Sequence, residues 1–436
     1  DNNDSNNGSN NDNNDSNNDN DSNNDIDAQK TSIPVDDKKD KRPLAVIQVG
    51  PYKTGSSHIQ TLVYKLLSIL QNDGYRLPIF SGNHEKNKNW ANLANCLRKS
   101  NAELVGCDAA NKATVMTEWN TFLEGNRKTH DKDERSNSIV LASEVFSDID
   151  IDIPRFKGML NSGTTSKNYH DGFDVRIVVI YRHLFDWIVS LHNELYKLAE
   201  MKKEERFVPL AKWLNDHWEK VEANMQNHAF NVFERYNHHF PNHTFVIDLH
   251  QHIKKHSSYN GKRLEEEFFC DTMEGASGTC KHVQTNAFDS VNPSAQFELM
   301  DLRVELETKY SKCLLYEQFE DQIETHLERI LFKTRRMEAK LPSYCPSRDI
   351  MERLWALSWK YRQELVAAKV LKPYAKEKMR KEFDLKYKKR FFCSFNSRAL
   401  ITTWEKQEWF TNMTQGGACN GFTSNATIFD QNGLQK

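Results

Sequence analysis

The sequence predicts an α/β fold: a central parallel β-sheet flanked by helices, with additional helices toward the C-terminus. Three observations predict it. Four short apolar, β-branched runs occur early, helical periodicity fills the gaps between them, and long helical stretches follow residue 292. A strand buried on both faces loses the alternation of apolar and polar residues, because neither face meets water. Such runs separated by helical segments are the pattern of a parallel sheet covered on both sides.

Residues 1–42 are almost wholly Asp, Asn and Ser followed by a charged run, and read as a disordered tail or stem with nothing apolar to offset the entropy of ordering. Order is expected from Leu44-Ala45-Val46-Ile47-Gln48-Val49, a buried strand that ends in Gly50-Pro51. A helix follows, with Ile59, Leu62, Val63, Leu66, Leu67 and Leu70 at three- and four-residue steps and Asp73-Gly74 as its stop. Further strands are expected at Ser138–Ala142, Val175–Tyr181 and Thr244–Ile247. Helices are expected over Ala295–Lys340, Arg348–Lys372 and Ala375–Lys389. The domain reading is therefore a tail over 1–42, an α/β core over 43–292 and a helical part over 293–436 packed on that core.

Composition excludes several classes. At 436 residues the chain buries a large core without staples, and a formal net charge of -2 gives no global attraction to nucleic acid or membrane. No run of about 18 apolar residues occurs, so no membrane span is expected. The chain opens on Asp, and a leader or anchor upstream is an expectation that this beginning leaves open. Eight cysteines and the sequons at Asn242, Asn412 and Asn425 favour an oxidising secretory compartment over reduced thiols in a cytosolic enzyme. No Cys-x-x-Cys pair or His-Glu-x-x-His helix is present, so no metal site is expected. The histidines His192, His228, His238 and His239 lack ligand spacing and carry no assigned role. The basic stretch Lys372–Arg390 reads as a solvated helix face in preference to a contact for an anionic glycan.

The chemistry concentrates at Gly50-Pro51-Tyr52-Lys53-Thr54-Gly55-Ser56-Ser57, between a buried strand and a helix. Backbone N–H groups and the helix dipole make such a junction an anion site. Gly55 lets the backbone approach a phosphate, Ser56 and Ser57 bring hydroxyls to the helix start, and Lys53 brings a mobile charge. Gly50 and Gly55 have the spacing of a Walker A loop, but the lysine precedes the second glycine by two residues and position 56 is Ser, which disfavours a nucleoside triphosphatase. A second element lies at Val178–Ser190, where Arg182 ends an apolar strand and Ser190 follows on the next helix, with Leu184, Ile188, Leu191, Leu195 and Leu198 as its apolar face. A guanidinium offers phosphate a planar fork of donors, and a serine completes the shell.

Lys53-Thr54-Gly55-Ser56-Ser57 at the first strand–helix junction resembles the 5'-phosphosulfate loop of sulfotransferases that use 3'-phosphoadenosine-5'-phosphosulfate (PAPS). Arg182 with Ser190 is similar to that family's 3'-phosphate element. The usual proline beside the lysine is displaced by one, and the late Arg-Lys-Gly motif of the cytosolic members is not seen. The match therefore looks closer to Golgi-type and bacterial carbohydrate sulfotransferases, and it covers roughly residues 44–250. The resemblance implies a P-loop-like sheet, PAPS as donor and 3'-phosphoadenosine-5'-phosphate (PAP) as product, no metal, and an acceptor hydroxyl on a glycan. It places the enzyme in the Golgi lumen or secretory pathway as a glycoprotein with disulfides, one of them joining Cys270 to Cys280.

Sulfuryl transfer needs an in-line acceptor oxygen, a stabilised leaving phosphate and a proton acceptor. Lys53 is the expected stabiliser of the leaving group. Glu144, at the end of the strand Ser138–Ala142, is the favoured general base, with His84 and Glu85 as rivals in the loop after the first helix. A P-loop-type kinase and a catalytically silent member that binds only the nucleotide or a glycan are the alternative readings.

Overall fold

The computed structural model describes residues 42–78, 89–99, 107–128, 138–162, 172–202, 208–252, 262–288 and 343–406. The tail over 1–41, the loop holding His84 and Glu85, the helix expected over Ala295–Lys340 and the sequons at Asn412 and Asn425 lie outside them.

The chain runs β1 (Leu44–Gln48), α1 (Ser56–Lys65), α2 (Leu67–Asn72), β2 (Tyr75–Arg76), α3 (Asn89–Cys96), α4 (Ala109–Lys128) and β3 (Ser138–Ala142). A 3-10 turn over Glu144–Ser147 leads to α5 (Ile153–Ser162), β4 (Asp174–Tyr181), α6 (Leu184–Lys202), α7 (Leu210–Asp216), α8 (Trp218–Met225), α9 (Ala229–His239) and β5 (Thr244–Asp248). Then come α10 (Leu249–His252), α11 (Leu264–Glu266), a π turn over Glu267–Thr272 and α12 (Ser277–Thr285). After the next described residues begin at 343 come β6 (Ser343–Tyr344), α13 (Arg348–Ala367), α14 (Lys376–Lys388), β7 (Ser394–Phe395) and α15 (Ser397–Trp404).

Five strands form one sheet in the order β2-β3-β1-β4-β5, and every pairing is parallel. All residues of β1 and β3 are buried, as their unbroken apolar runs require. The chain passes from β1 to neighbours on one side and then to β4 on the other, so the crevice that such a reversal opens lies at the carboxyl end of β1. The loops after β1, β3, β4 and β5 all leave from that edge.

The helix expected across Ile59–Leu70 divides at Leu66, which closes α1 and opens α2. The helix expected to reach Lys372 stops at Ala367, because Lys369 turns left-handed at φ 60 and the N–H of Val370 and Leu371 fold back on the Leu365 carbonyl.

Two apolar cores share the fold. One packs α1, α3, α5, α9 and the π turn around the sheet. The other joins α6, α7 and α8 to α13 and α14 through Trp187, Trp213, Leu354, Met379 and Phe383. Arg380 and Lys386 of the basic helix α14 turn toward the protein, on Glu352 and Asp186, so that helix face is not wholly given to solvent.

Disulfides join Cys96 to Cys107, Cys270 to Cys280 and Cys345 to Cys393. Bonds of this kind form in oxidising, secretory-type compartments. Among the described residues no helix is long and apolar enough to cross a membrane. Asn242, at the turn before β5, is exposed with φ 65 and lies at the amino edge of the sheet, away from the crevice.

Candidate functional site

The loop from Val49 to Gly55 is shaped from within. Thr54 is fully buried and donates its hydroxyl to the Pro51 carbonyl at 2.8 Å, and Ser56 donates to the same oxygen at 2.9 Å. Ser56, whose hydroxyl was expected to serve a ligand, therefore holds the turn together with Thr54, while Ser57 is half-buried at the start of α1. Gly55 carries φ 93 and ends the loop at the helix N-terminus, where no side-chain hydrogen bond caps α1 and no acid lies in its first turn. The positive end of that helix is left for a ligand.

Lys53 is a non-glycine residue at φ 63, a conformation that an L side chain adopts at a cost of about 1 kcal/mol. Left-handed Lys53 and Gly55 flank Thr54, so successive N–H groups curl into the concave arrangement that binds anions. Beneath the loop lies Gln48, with a fully buried side chain whose Nε2 and Oε1 have no hydrogen-bond partner among the described residues. A Cβ on Gly50 would stand 2.3 Å from Gln48 Nε2, 3.2 Å from Ser56 Oγ and 3.4 Å from Thr54 Oγ1. A side chain at Gly50 would thus force the Gln48 amide to shift. Sequence reasoning missed Gln48, which reads as a single polar residue inside an otherwise apolar strand.

The second motif meets the first. Arg182, at the end of β4, donates through Nη1 to the Lys53 carbonyl at 3.1 Å and to Ser190 Oγ at 2.7 Å. Trp187 Nε1 of α6 donates to the Tyr52 carbonyl at 2.8 Å, so the end of β4 and the start of α6 together hold the loop at two successive carbonyls. Burial pulls the Arg182 guanidinium below its ordinary range, against the opposing pull of Asp186. Lys53 Nζ pairs with Glu194 at 2.6 Å, one turn along α6 from Ser190.

Arg182 is fixed from behind by His228. The imidazole Nε2 donates to the Arg182 carbonyl at 2.9 Å and Nδ1 accepts from the Phe230 N–H, an arrangement that needs the neutral ring. Burial holds His228 down to about 4. The His183 N–H donates to His250 Nε2 at 2.7 Å, and the two rings stack at 3.5 Å. Both imidazoles are held well below their ordinary value by burial and by neighbouring cations. Asp248, at the end of β5, pairs with Arg362 of α13 at 2.8 Å with both side chains buried, which ties the C-terminal helices to this edge.

Glu144 opens the 3-10 turn after β3 and is 9% exposed. Its carboxylate accepts from Gln60 of α1, so the same helix that starts at the loop orients the expected base. Beside it, Asp148 pairs with Arg98 and is pushed up to about 6, chiefly by burial, with Asp150 and Glu144 adding to the rise and Arg98 and Arg235 opposing it. The Tyr52 phenol is pushed above its ordinary range by burial and by Asp148 and Glu144, so it stays a proton donor. Neither Asp148 nor Arg98 was singled out from the sequence, because their pairing depends on a bridge between Arg98 and Ile151.

A wall of the loop comes from α11. Leu264 Cδ2 lies 2.9 Å from where a Gly55 Cβ would sit, and Glu265 faces His58 of α1 at 3.7 Å. The structure thus brings Lys53, Thr54, Gly55, Ser56, Ser57, Arg182 and Ser190 to one place. It sets Glu144 on the same sheet edge, across β1 from Arg182. This arrangement gathers two cations, each already engaged by protein groups, around a helix N-terminus without a side-chain cap.

No protein-family model matches this chain, and no curated protein or solved structure matches it either.

Proposed function

We propose that this chain is a PAPS-dependent sulfotransferase that moves a sulfuryl group to a carbohydrate hydroxyl. The observation that carries the reading is the hydrogen bond from Arg182 to the Lys53 carbonyl, which joins two short motifs far apart in sequence into one cationic cradle. Its place at the carboxyl edge of a parallel sheet, where the strand order reverses, supports a P-loop-like use of the fold. The start of α1, with no side-chain cap and no acid in its first turn, supports an anion in the cradle.

In this reading PAPS supplies the sulfuryl group and PAP is what remains. The N–H groups at the start of α1, with Ser57, hold the 5'-phosphate, while Thr54 and Ser56 keep the loop in shape. Arg182 and Ser190 hold the 3'-phosphate. Lys53 meets the negative charge that grows on the leaving oxygen. Glu144, oriented by Gln60, takes the proton of the acceptor hydroxyl. His84 and Glu85 remain rival bases outside the described residues. The three disulfides fit a lumenal enzyme, and the Golgi is the compartment proposed.

The test is calorimetric titration of PAP without magnesium into the wild type, Lys53→Ala and Arg182→Ala. Binding to the wild type that is weakened about tenfold or more in both variants supports the reading. No binding to any of the three sinks it, and binding that needs magnesium points to a P-loop-type kinase.

A further inference from the structure

The Lys53 ammonium does not stand open in the cradle; its partner is the Glu194 carboxylate at 2.6 Å. A negative group beside an anion site works against the ligand and needs a physical reason. The reason lies in the local charge balance. Lys53, the half-buried Arg182 and the positive end of α1 converge where no acid lies in the first turn of α1. Asp186 already faces Arg182, so the cation left for a counter-charge is Lys53.

Glu194 supplies that counter-charge from a fixed place. Ser190 and Glu194 lie one turn apart on the same face of α6. Ser190 Oγ accepts from Arg182, and Arg182 also donates to the Lys53 carbonyl, so the chain of contacts closes on itself at Lys53. The Lys53 and Glu194 side chains keep 26% and 30% exposure, and ion pairs at such exposure are weak enough to exchange readily.

We propose that Glu194 is a positioning residue that holds the Lys53 ammonium while the cradle is empty and yields it to an entering oligoanion. This deepens the donor-site reading above and rests on it. A singly charged ligand gains little by displacing a carboxylate already 2.6 Å from the ammonium. A ligand with two or more negative charges at the loop gains Lys53, Arg182 and the helix terminus together. The pair therefore selects for phosphate- and phosphosulfate-bearing nucleotides over monoanions.

The experiment measures PAP affinity for the wild type, Glu194→Gln, Lys53→Ala and the double variant. Glu194→Gln is expected to tighten PAP about three- to tenfold, with no such gain in the Lys53→Ala background. Glu194→Asp, which keeps the charge, is expected to restore affinity toward the wild type. An unchanged affinity in Glu194→Gln overturns the proposal, as does an equal gain with and without Lys53. Labelling of Lys53 by an amine-selective reagent, without ligand, reads the pair separately and is expected to be faster in Glu194→Gln. Should PAP fail to bind the wild type, the donor reading falls, and equal labelling rates would then overturn the role of Glu194 as well.

Discussion

Arg182 donates to the main-chain oxygen of Lys53 at 3.1 Å, and through that bond the end of β4 fixes the loop that follows β1. The two residues lie just beyond the carboxyl ends of adjacent parallel strands, β1 and β4, which pair with Gln48 opposite Val178, so the register brings their loops together. The same guanidinium reaches Ser190, and a single side chain thus sets the position of both halves of the cradle.

Arg182→Ala is expected to weaken PAP binding about 10- to 150-fold, since a hydrogen bond to a charged group contributes about 1.5–3 kcal/mol. Arg182→Lys should recover only part of this, because an ammonium cannot serve the Lys53 carbonyl and Ser190 with the same planar geometry. Calorimetry on both variants checks it, and full recovery by lysine would remove the fork from the argument.

The two loop glycines should fail differently. Gly55→Ala meets a left-handed φ of 93 and the Leu264 methyl at 2.9 Å, and is expected to cost about 1–2 kcal/mol. Gly50→Ala brings a methyl to 2.3 Å from Gln48 Nε2, the end of a flexible side chain that can shift, at a backbone without the left-handed strain of Gly55, and should cost less. Thermal unfolding of both variants tests the order.

What could be read from the sequence was whatever local physics dictates. β1, β3 and β4 were legible because strands buried on both faces become unbroken apolar runs. Lys53 and Arg182 were legible because each follows the carboxyl end of such a run, where a ligand edge is expected. β2 was not, since two residues carry no pattern. Gln48, Glu194, His228 and Asp148 were missed for a common reason. Each looks ordinary in its own segment, and only the crossovers set it beside its partner. The pairing of Cys270 with Cys280 came from the resemblance alone, and the structure forms it.

Arg362 and Asp248 make a buried pair, with 1% and 3% of their side chains exposed. Removing either partner strands a charge in the interior, so Arg362→Ala is expected to cost about 3–5 kcal/mol. Arg362→Met with Asp248→Leu should cost less than the single change, because neither charge remains. Denaturant unfolding of the single and double variants decides between a charge-burial cost and a simple loss of packing.

The Cys270–Cys280 bond closes a separation of 10 residues next to Leu264 and Glu265, which wall the loop. Cys270→Ser with Cys280→Ser is expected to lower stability by about 2–3 kcal/mol. PAP binding should weaken several-fold at the same time, since the wall against Gly55 loosens. Stability lost without any change in binding would detach this segment from the site.

Acid should destabilise the protein from about pH 6.5 downward. His183, His192, His228 and His250 are all held below their ordinary value by burial, His192 and His228 to about 4. Below 6.5 the unfolded chain takes up protons that these folded imidazoles refuse, so their contribution to stability falls as pH falls toward 4. Asp148 acts in the opposite sense. Its folded value of about 6 exceeds its ordinary 3.8, so between those limits the folded state binds more protons and gains stability as pH falls. Four histidines outweigh one aspartate, and the net slope is a loss on acidification. Asp148→Asn removes the opposing contribution alone. Relative to the wild type, the variant should therefore lose on the order of 2 kcal/mol between pH 6 and 4. Denaturant midpoints for both proteins at pH 4.5, 5.5 and 7 read this difference directly, and a gap that stays constant with pH would show that Asp148 does not titrate in that window.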